Sequence, residues 1–169
     1  VRVAVTGTPG TGKTTVSGLL DTDLDVAHLN DLVASEGLYS EVDDARSSKV
    51  VDVEAAREYF AGREDVLVES HLAHHLDGLD RVVVLRCEPG ELDERLQDRG
   101  EPPEKAGENA ESEALDVILS EAVRDHGAER VYEIDTTGRD PEAVASDVQA
   151  VLDGDREPSA GDVNFTDYL

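Results

Sequence analysis

An α/β domain built on a doubly wound, five-stranded parallel sheet is the fold class the sequence predicts, and three observations predict it. Short apolar runs such as VRVAV, DVLVE and RVVVLR have the length and β-branched content of strands buried on both faces. Amphipathic segments separate these runs, so strand and helix alternate along the chain. The stretch GTPGTGKTT, Gly7 to Thr15, stands between the first strand and the first helix, where open α/β sheets bind anions.

The elements follow in order. Val1 to Val5 reads as the first strand and TTVSGLL as the opening of a helix. Val26 to Leu29 forms a short second strand, after which Asn30 or Asp31 caps a helix ending near Gly37. LYSEVDDARSSKV is polar and reads as an irregular insertion. VDVEAAREYFAGR is a helix with Val51, Ala55 and Tyr59 or Phe60 on one face. Asp65 to Glu69 and Arg81 to Arg86 are the next strands, and a helix starts at Pro89 and stops at Gly100. EPPEKAGEN reads as a loop, and Glu108 to His126 as one long helix with Ala114, Val117, Ile118, Glu121 and Ala122 along a stripe. RVYEID supplies the fifth strand and EAVASDVQAVL the closing helix. The domain therefore spans residues 1–153, followed by a polar tail, 154–169, whose Phe165 and Tyr168 are expected to dock back on the body.

Composition narrows the class. A chain of 169 residues is long enough for one domain with a proper core. No apolar run reaches the about 18 residues of a membrane span, and no signal-peptide pattern is present, so a cytoplasmic location is expected. The single cysteine, Cys87, follows an apolar strand and reads as a core thiol. The 40 acidic against 15 basic residues give a net charge of −25, spread over nearly every helix. Lysine is reduced to Lys13, Lys49 and Lys105. A dispersed anionic surface suits concentrated salt, where self-repulsion is screened and solubility is kept. It also argues against a broad nucleic-acid face, which needs a basic stripe.

The chemistry begins at Gly7 to Thr15, which matches G-x-x-x-x-G-K-[ST] with Gly7, Gly12, Lys13 and Thr14 at the fixed positions. Gly7, Gly10 and Gly12 permit turn conformations in which successive N–H groups converge on phosphate. Lys13 offers a point charge for the β- and γ-phosphates, and Thr14 a hydroxyl for Mg²⁺, so the loop points to ATP with magnesium. Glu69, ending a buried strand, is the acid that positions magnesium or its waters. Arg95 and Arg99, four residues apart and followed by a polar loop, fit a lid that closes guanidinium groups over a transferring phosphoryl; alternatively Arg95 pairs with Glu91 or Asp98. The absence of N-K-x-D argues against a GTPase. His71, His74 and His75 stand at i, i+3 and i+4, a metal-capable spacing without an evident fourth ligand. His71 is expected on the phosphate side, and the other two at the surface.

GTPGTGKTT, LNDLVASEGLY, VLVESH, VVVLRCEPGELDERLQDRG and the Glu108, Asn109, Glu113 pattern together resemble the adenylate kinase isoenzyme 6 (CINAP-type) family of archaea and eukaryotes, over roughly residues 1–151. The resemblance implies a P-loop nucleoside monophosphate kinase with an AMP-binding insertion near 30–53 and a short lid near 98–108. It implies ATPase activity too, and a role in late small ribosomal subunit maturation through transient binding of a ribosomal protein. Gly10, Gly12, Lys13, Thr14 and Thr15 fall on the family's ATP loop, Arg99 on its lid arginine and His71 on the histidine after its second acidic motif. Two positions depart: Glu69 stands where the family has aspartate, and Ala34 where it has an acceptor-helix arginine, leaving Arg46, Arg57 or Arg86 for the AMP phosphate. An ATP-driven assembly factor and a small-metabolite kinase are the alternatives.

The charge excess predicts that the purified chain loses its cooperative fold when salt is dialysed away without ligand. Circular dichroism along a KCl series checks this; a fold unchanged at low ionic strength refutes the salt-adapted reading.

Overall fold

The computed structural model describes residues 1–43 and 48–169, with the side chains of 41–49 left out. Five strands, β1 (Arg2–Gly7), β2 (Asp25–His28), β5 (Val66–Glu69), β6 (Arg81–Arg86) and β7 (Val131–Asp135), form one sheet in the order β2-β5-β1-β6-β7. Every pairing in it is parallel. The chain moves outward from β1 to β2, returns to β5, then crosses to β6, so the crevice at the carboxyl ends opens around β1.

Strand alternation sorts the core into two layers. Ala4, Val66, Val68, Val82, Val84 and Val131 meet Leu29 and Val33 of α2 (Leu29–Ser35), Ala56 and Phe60 of α3 (Val53–Phe60), and Leu119 and Ala122 of α6 (Val117–His126). Their strand neighbours Val3, Val5, Leu67, Val83, Leu85 and Ile134 face the other way, against Val16 of α1 (Lys13–Gly18) and Val144, Val148 and Val151 of α7 (Pro141–Leu152). With both faces covered, the near-continuous apolar runs are accounted for. A third cluster, Cys87, Leu92, Leu96 and Ala106, joins α4 (Pro89–Asp98) to α5 (Pro103–Ala114). Burial pushes the Cys87 thiol up to about 12, so it is a core thiol rather than a nucleophile.

The predicted fold class holds, and the differences are local. Within the expected irregular insertion, β3 (Tyr39–Asp43) and β4 (Ser48–Val51) pair antiparallel. The sequence hid the pairing because YSEVD and SKVV mix polar and apolar residues without a clean alternation, although Tyr39 and Val51 pack against the core. The expected loop EPPEKAGEN is largely helical: Pro103 occupies the first turn of α5, where its missing N–H costs nothing, and Glu104 favours the helix's positive end. The expected long helix breaks at Asp116, whose left-handed backbone (φ 56°) separates α5 from α6.

That break is held by Arg86. Its side chain is 1% exposed, and it donates to Glu133 (2.6 Å), Asp116 (2.5 Å) and the Glu113 carbonyl (3.0 Å). Its Nε also lies 3.2 Å from the Glu113 carboxylate. The tail docks beside the same cluster. Ser159 N–H donates to the Val131 carbonyl (3.0 Å), the Ser159 hydroxyl engages both backbone groups of Glu133, and the Phe165 ring sits 5.4 Å from the Arg86 guanidinium carbon. The tail thereby covers the outer edge of β7. Tyr168 remains 42% exposed.

Replacing Arg86 by Met is expected to lower stability by about 3–5 kcal/mol, because three carboxylates lose their buried counter-charge. Phe165→Ala should cost about 1–2 kcal/mol. Urea unfolding in concentrated KCl measures both, and an Arg86→Met loss under about 1 kcal/mol contradicts this account.

Candidate functional site

The loop Thr8 to Gly12 wraps over the carboxyl end of β1. Gly10 adopts φ 94°, and a Cβ there would lie 2.9 Å from a methyl of Leu92, so neither the backbone nor the packing of α4 admits a side chain. Gly12, at φ 95°, turns the chain into α1. The loop is anchored from below: the Thr8 hydroxyl donates to Glu113 (3.1 Å) while the other carboxylate oxygen accepts from Cys87 N–H (2.8 Å). Burial raises the Glu113 pKa against the opposing pull of Arg86 and these donors.

The predicted phosphate-side residues converge. Pro9, Gly10, Gly12, Lys13, Thr14, Thr15, Asn30, Glu69, His71 and Arg99 line a polar pocket of about 170 Å³. Lys13 Nζ donates to the carbonyls of Gly7 (2.9 Å) and Thr8 (3.1 Å). Burial, aided by the charge of Arg99, lowers its pKa to about 8, against the opposing pull of Glu69 and Glu113. Thr14 Oγ1 donates to Glu69 Oε1 (2.9 Å), which places a hydroxyl and a buried carboxylate side by side. Hard oxygen donors of this kind suit Mg²⁺, so Thr14 and Glu69 fit the ion the loop implies. His71 is held near pKa 4, first by burial and then by Lys13, and is a neutral imidazole at pH 7.

A larger cavity, about 710 Å³, adjoins the first. It is lined by Val50, Val51 and Val53, by Lys105, Asn109 and Ser112 of α5, by Ile118 and Glu121 of α6, and by His71, Leu72, His74 and His75 from the segment after β5. Pro9, Asn30, His71 and Arg99 line both spaces, so the two meet along those four side chains.

Several expectations need correction. Arg95 takes the alternative role: it pairs with Glu91 (2.6 Å) and donates to the Thr136 carbonyl (3.1 Å) and to the Gly10 carbonyl of the loop (3.4 Å), which fastens α4 to the end of β7 and to the loop rather than leaving a free guanidinium. Arg57 is tied to Glu54 and to the His75 carbonyl, and Arg86 is sealed in its carboxylate cluster, so neither reaches the larger cavity. Arg46 lies outside the described residues. Among the described residues Arg99 is the one arginine whose guanidinium has no hydrogen-bond or ion-pair partner, and it stands over both spaces. His74, expected at the surface, is 1% exposed, because the segment after β5 turns inward beneath α6. Its Nδ1 lies 2.8 Å from Thr6 Oγ1, and burial takes its pKa to about 4.

His28 was missed. It ends β2 in register with Glu69, and its Nδ1 sits 3.0 Å from Glu69 Oε1. The signal available was its place at the carboxyl end of a predicted strand; which strand would be its neighbour was not legible.

A protein-family model described as AAA domain matches residues 3–116. A Halobacterium salinarum protein named "Putative adenylate kinase" is 74% identical over the whole of both chains. Relatives of the same name from Natronomonas pharaonis and Methanosarcina acetivorans are 60% and 45% identical, the first over both full chains, the second over 89% of this chain and 86% of its own. Among solved structures, shikimate kinase from Bacteroides thetaiotaomicron superposes with TM-score 0.59 at 18% identity, covering 90% of this chain and 98% of that one. Deoxyadenosine kinase from M. mycoides, with bound dATP, gives 0.54 at 14%, covering 90% and 100%. These two similarities establish the fold. No helix among the described residues is long and apolar enough to cross a membrane.

The depressed Lys13 pKa has a measurable sign. Above about pH 8 the free site holds less than one proton on Lys13, whereas phosphate binding demands the ammonium, so ATP binding takes up a proton there. Calorimetry near pH 8.5 in buffers of different ionisation enthalpy should detect the uptake. It should vanish in Lys13→Arg, which is charged throughout.

Proposed function

We propose, from the premise that this chain belongs to the AAA-domain family and, within it, to the archaeal adenylate kinases, that it transfers the γ-phosphoryl group of ATP to AMP. Membership supports a nucleoside monophosphate kinase; the acceptor and the roles of single residues are our reading. The observation that carries it is the shared wall: a phosphate-sized pocket on the loop opens into a nucleotide-sized cavity across Pro9, Asn30, His71 and Arg99. Donor and acceptor are then held end to end, the arrangement an in-line transfer requires.

In this reading the loop N–H groups and Lys13 hold the β- and γ-phosphates, and Arg99 turns onto the transferring group, where it stabilises equatorial charge. Thr14 and Glu69 would hold Mg²⁺, which neutralises phosphate charge when bound. Glu69 reaches the Thr14 hydroxyl at 2.9 Å, so the longer acid still spans the gap. His28 steadies that carboxylate. His71, kept neutral, can donate an N–H to a phosphate oxygen without adding charge. Lys105, which lines the larger cavity and pairs with Glu101 (3.3 Å), would exchange that partner for the acceptor's phosphate, a role Ala34 cannot fill. An acceptor phosphate oxygen attacks the γ-phosphorus, the bond to the β-γ bridging oxygen breaks, and two ADP result.

A second reading is favoured by the arginines. With Arg57 and Arg86 committed elsewhere and Ala34 on α2, acceptor affinity is reduced, which suits the ATPase and small-subunit maturation role of the isoenzyme 6 type, acting with a ribosomal protein. A small-metabolite acceptor is the remaining alternative on this fold.

A nucleotide balance with Mg·ATP in multimolar KCl, with and without AMP, separates these. Two ADP per AMP consumed, without phosphate release, is expected. Phosphate release indifferent to AMP moves the assignment to the ATPase. Lys13→Ala should reduce either turnover by about 10²-fold or more, and undiminished turnover refutes the site itself.

A further inference from the structure

The lining of the larger cavity holds a cluster that phosphoryl transfer leaves unused. His74 and His75 come from one 3₁₀ turn, Ala73–His75, and Glu121 from the facing side of α6. Nε2 of His74 lies 3.2 Å, and Nε2 of His75 2.9 Å, from the same oxygen of Glu121. Among the described residues these three donor atoms form the one His, Cys, Asp or Glu group of its kind, all within 4.8 Å of one another.

From this convergence we infer that His74, His75 and Glu121 form a binding site for a borderline transition-metal ion of the Zn²⁺ class. Three ligands bound tetrahedrally at about 2.0–2.1 Å stand about 3.3–3.4 Å apart, so the two nitrogen-to-oxygen separations are already within a few tenths of an ångström of the need. His75 and Glu121 are partly exposed and can make the small adjustment; His74 is fixed. Its outer nitrogen faces the buried Thr6 hydroxyl at 2.8 Å, the outer hydrogen bond that orients a metal-bound imidazole. The turn's backbone is pinned twice more, as His126 donates to the His74 carbonyl (2.6 Å) and Arg57 to the His75 carbonyl (2.8 Å). Two imidazoles with one carboxylate select zinc, cobalt or nickel over magnesium, which prefers oxygen alone. The fourth position opens to the cavity, where water or a ligand of the cavity completes the shell.

Cobalt(II) provides the test, since in a compact nitrogen and oxygen site of low coordination number it absorbs visibly, and on scattered surface carboxylates it does not. The full chain, without nucleotide, is titrated with Co²⁺ in concentrated potassium nitrate containing excess Mg²⁺. The expected result is a visible band that saturates at one ion per chain and is displaced by Zn²⁺. Affinity should fall at least about tenfold in both His75→Gln and Glu121→Gln, whose folds are checked by circular dichroism. No band, saturation beyond one ion, or a band that both variants retain overturns the site. So does a band abolished by Glu69→Gln but not by His75→Gln, which would put the ion at the phosphate pocket. None of these outcomes depends on which acceptor the enzyme uses.

Discussion

The interaction on which the rest of the structure depends is the burial of one guanidinium among three carboxylates. Arg86 ends β6 and reaches Glu113 in α5, Asp116 at the α5–α6 break and Glu133 in β7. Removing so many charges from water is costly, and the cost is offset only when each finds a partner at hydrogen-bond distance. Arg86 hydrogen-bonds the Glu133 and Asp116 carboxylates and the Glu113 carbonyl, and pairs with the Glu113 carboxylate by charge alone. Through Glu113 the constraint reaches the phosphate loop, because the same carboxylate accepts from Thr8 and from the N–H that starts the turn into α4. Through Glu133 it reaches the tail, whose Gly161 N–H donates to that carboxylate. Loop, α4 and tail therefore share one electrostatic anchor, and none of them can shift without disturbing it.

The distribution of cations is the complement of that anchor. A chain with net charge −25 has many carboxylates competing for few positive groups. Lys13 and Lys105, two of its three lysines, stand at the two cavities. Such a surface repels a polyphosphate at long range, so in the function proposed above recognition falls to short-range donors: the loop N–H groups, desolvated Lys13 and Arg99. Concentrated salt screens the long-range repulsion and leaves these contacts largely intact, because buried or partly buried pairs are screened least.

Legibility in the sequence followed physical range. Strands buried on both faces announce themselves as apolar runs, and glycines with a fixed spacing announce the loop, so β1, β5, β6, β7 and Gly7 to Thr14 could be read directly. The β3–β4 pair could not, because YSEVD and SKVV mix polar and apolar residues without a regular alternation. Pro102 and Pro103 read as a loop although a proline in the first turn begins a helix as readily as it ends one. The site's cations were harder still. Nothing local separates Arg95, which joins Glu91 four residues back, from Arg99, whose guanidinium has no partner among the described residues. The roles of His28 and of Glu121 rest on strand register and helix docking, which are properties of the assembled fold.

Arg99 shows what this economy achieves. It follows the last turn of α4, where Gly100 at φ 94° turns the chain away, and α5 resumes at Pro103. Both helices are fastened below, α4 by Arg95 and the Leu92, Leu96 and Ala106 cluster, α5 by Glu113. Only a short connection, residues 99–102, joins the two fastened helices. A guanidinium at this exposed position keeps its rotamer freedom and its hydration. Its attraction to carboxylates elsewhere is weakened by distance and salt. The fold thus commits its other described arginines to structure and leaves one uncommitted, at the junction of the two cavities.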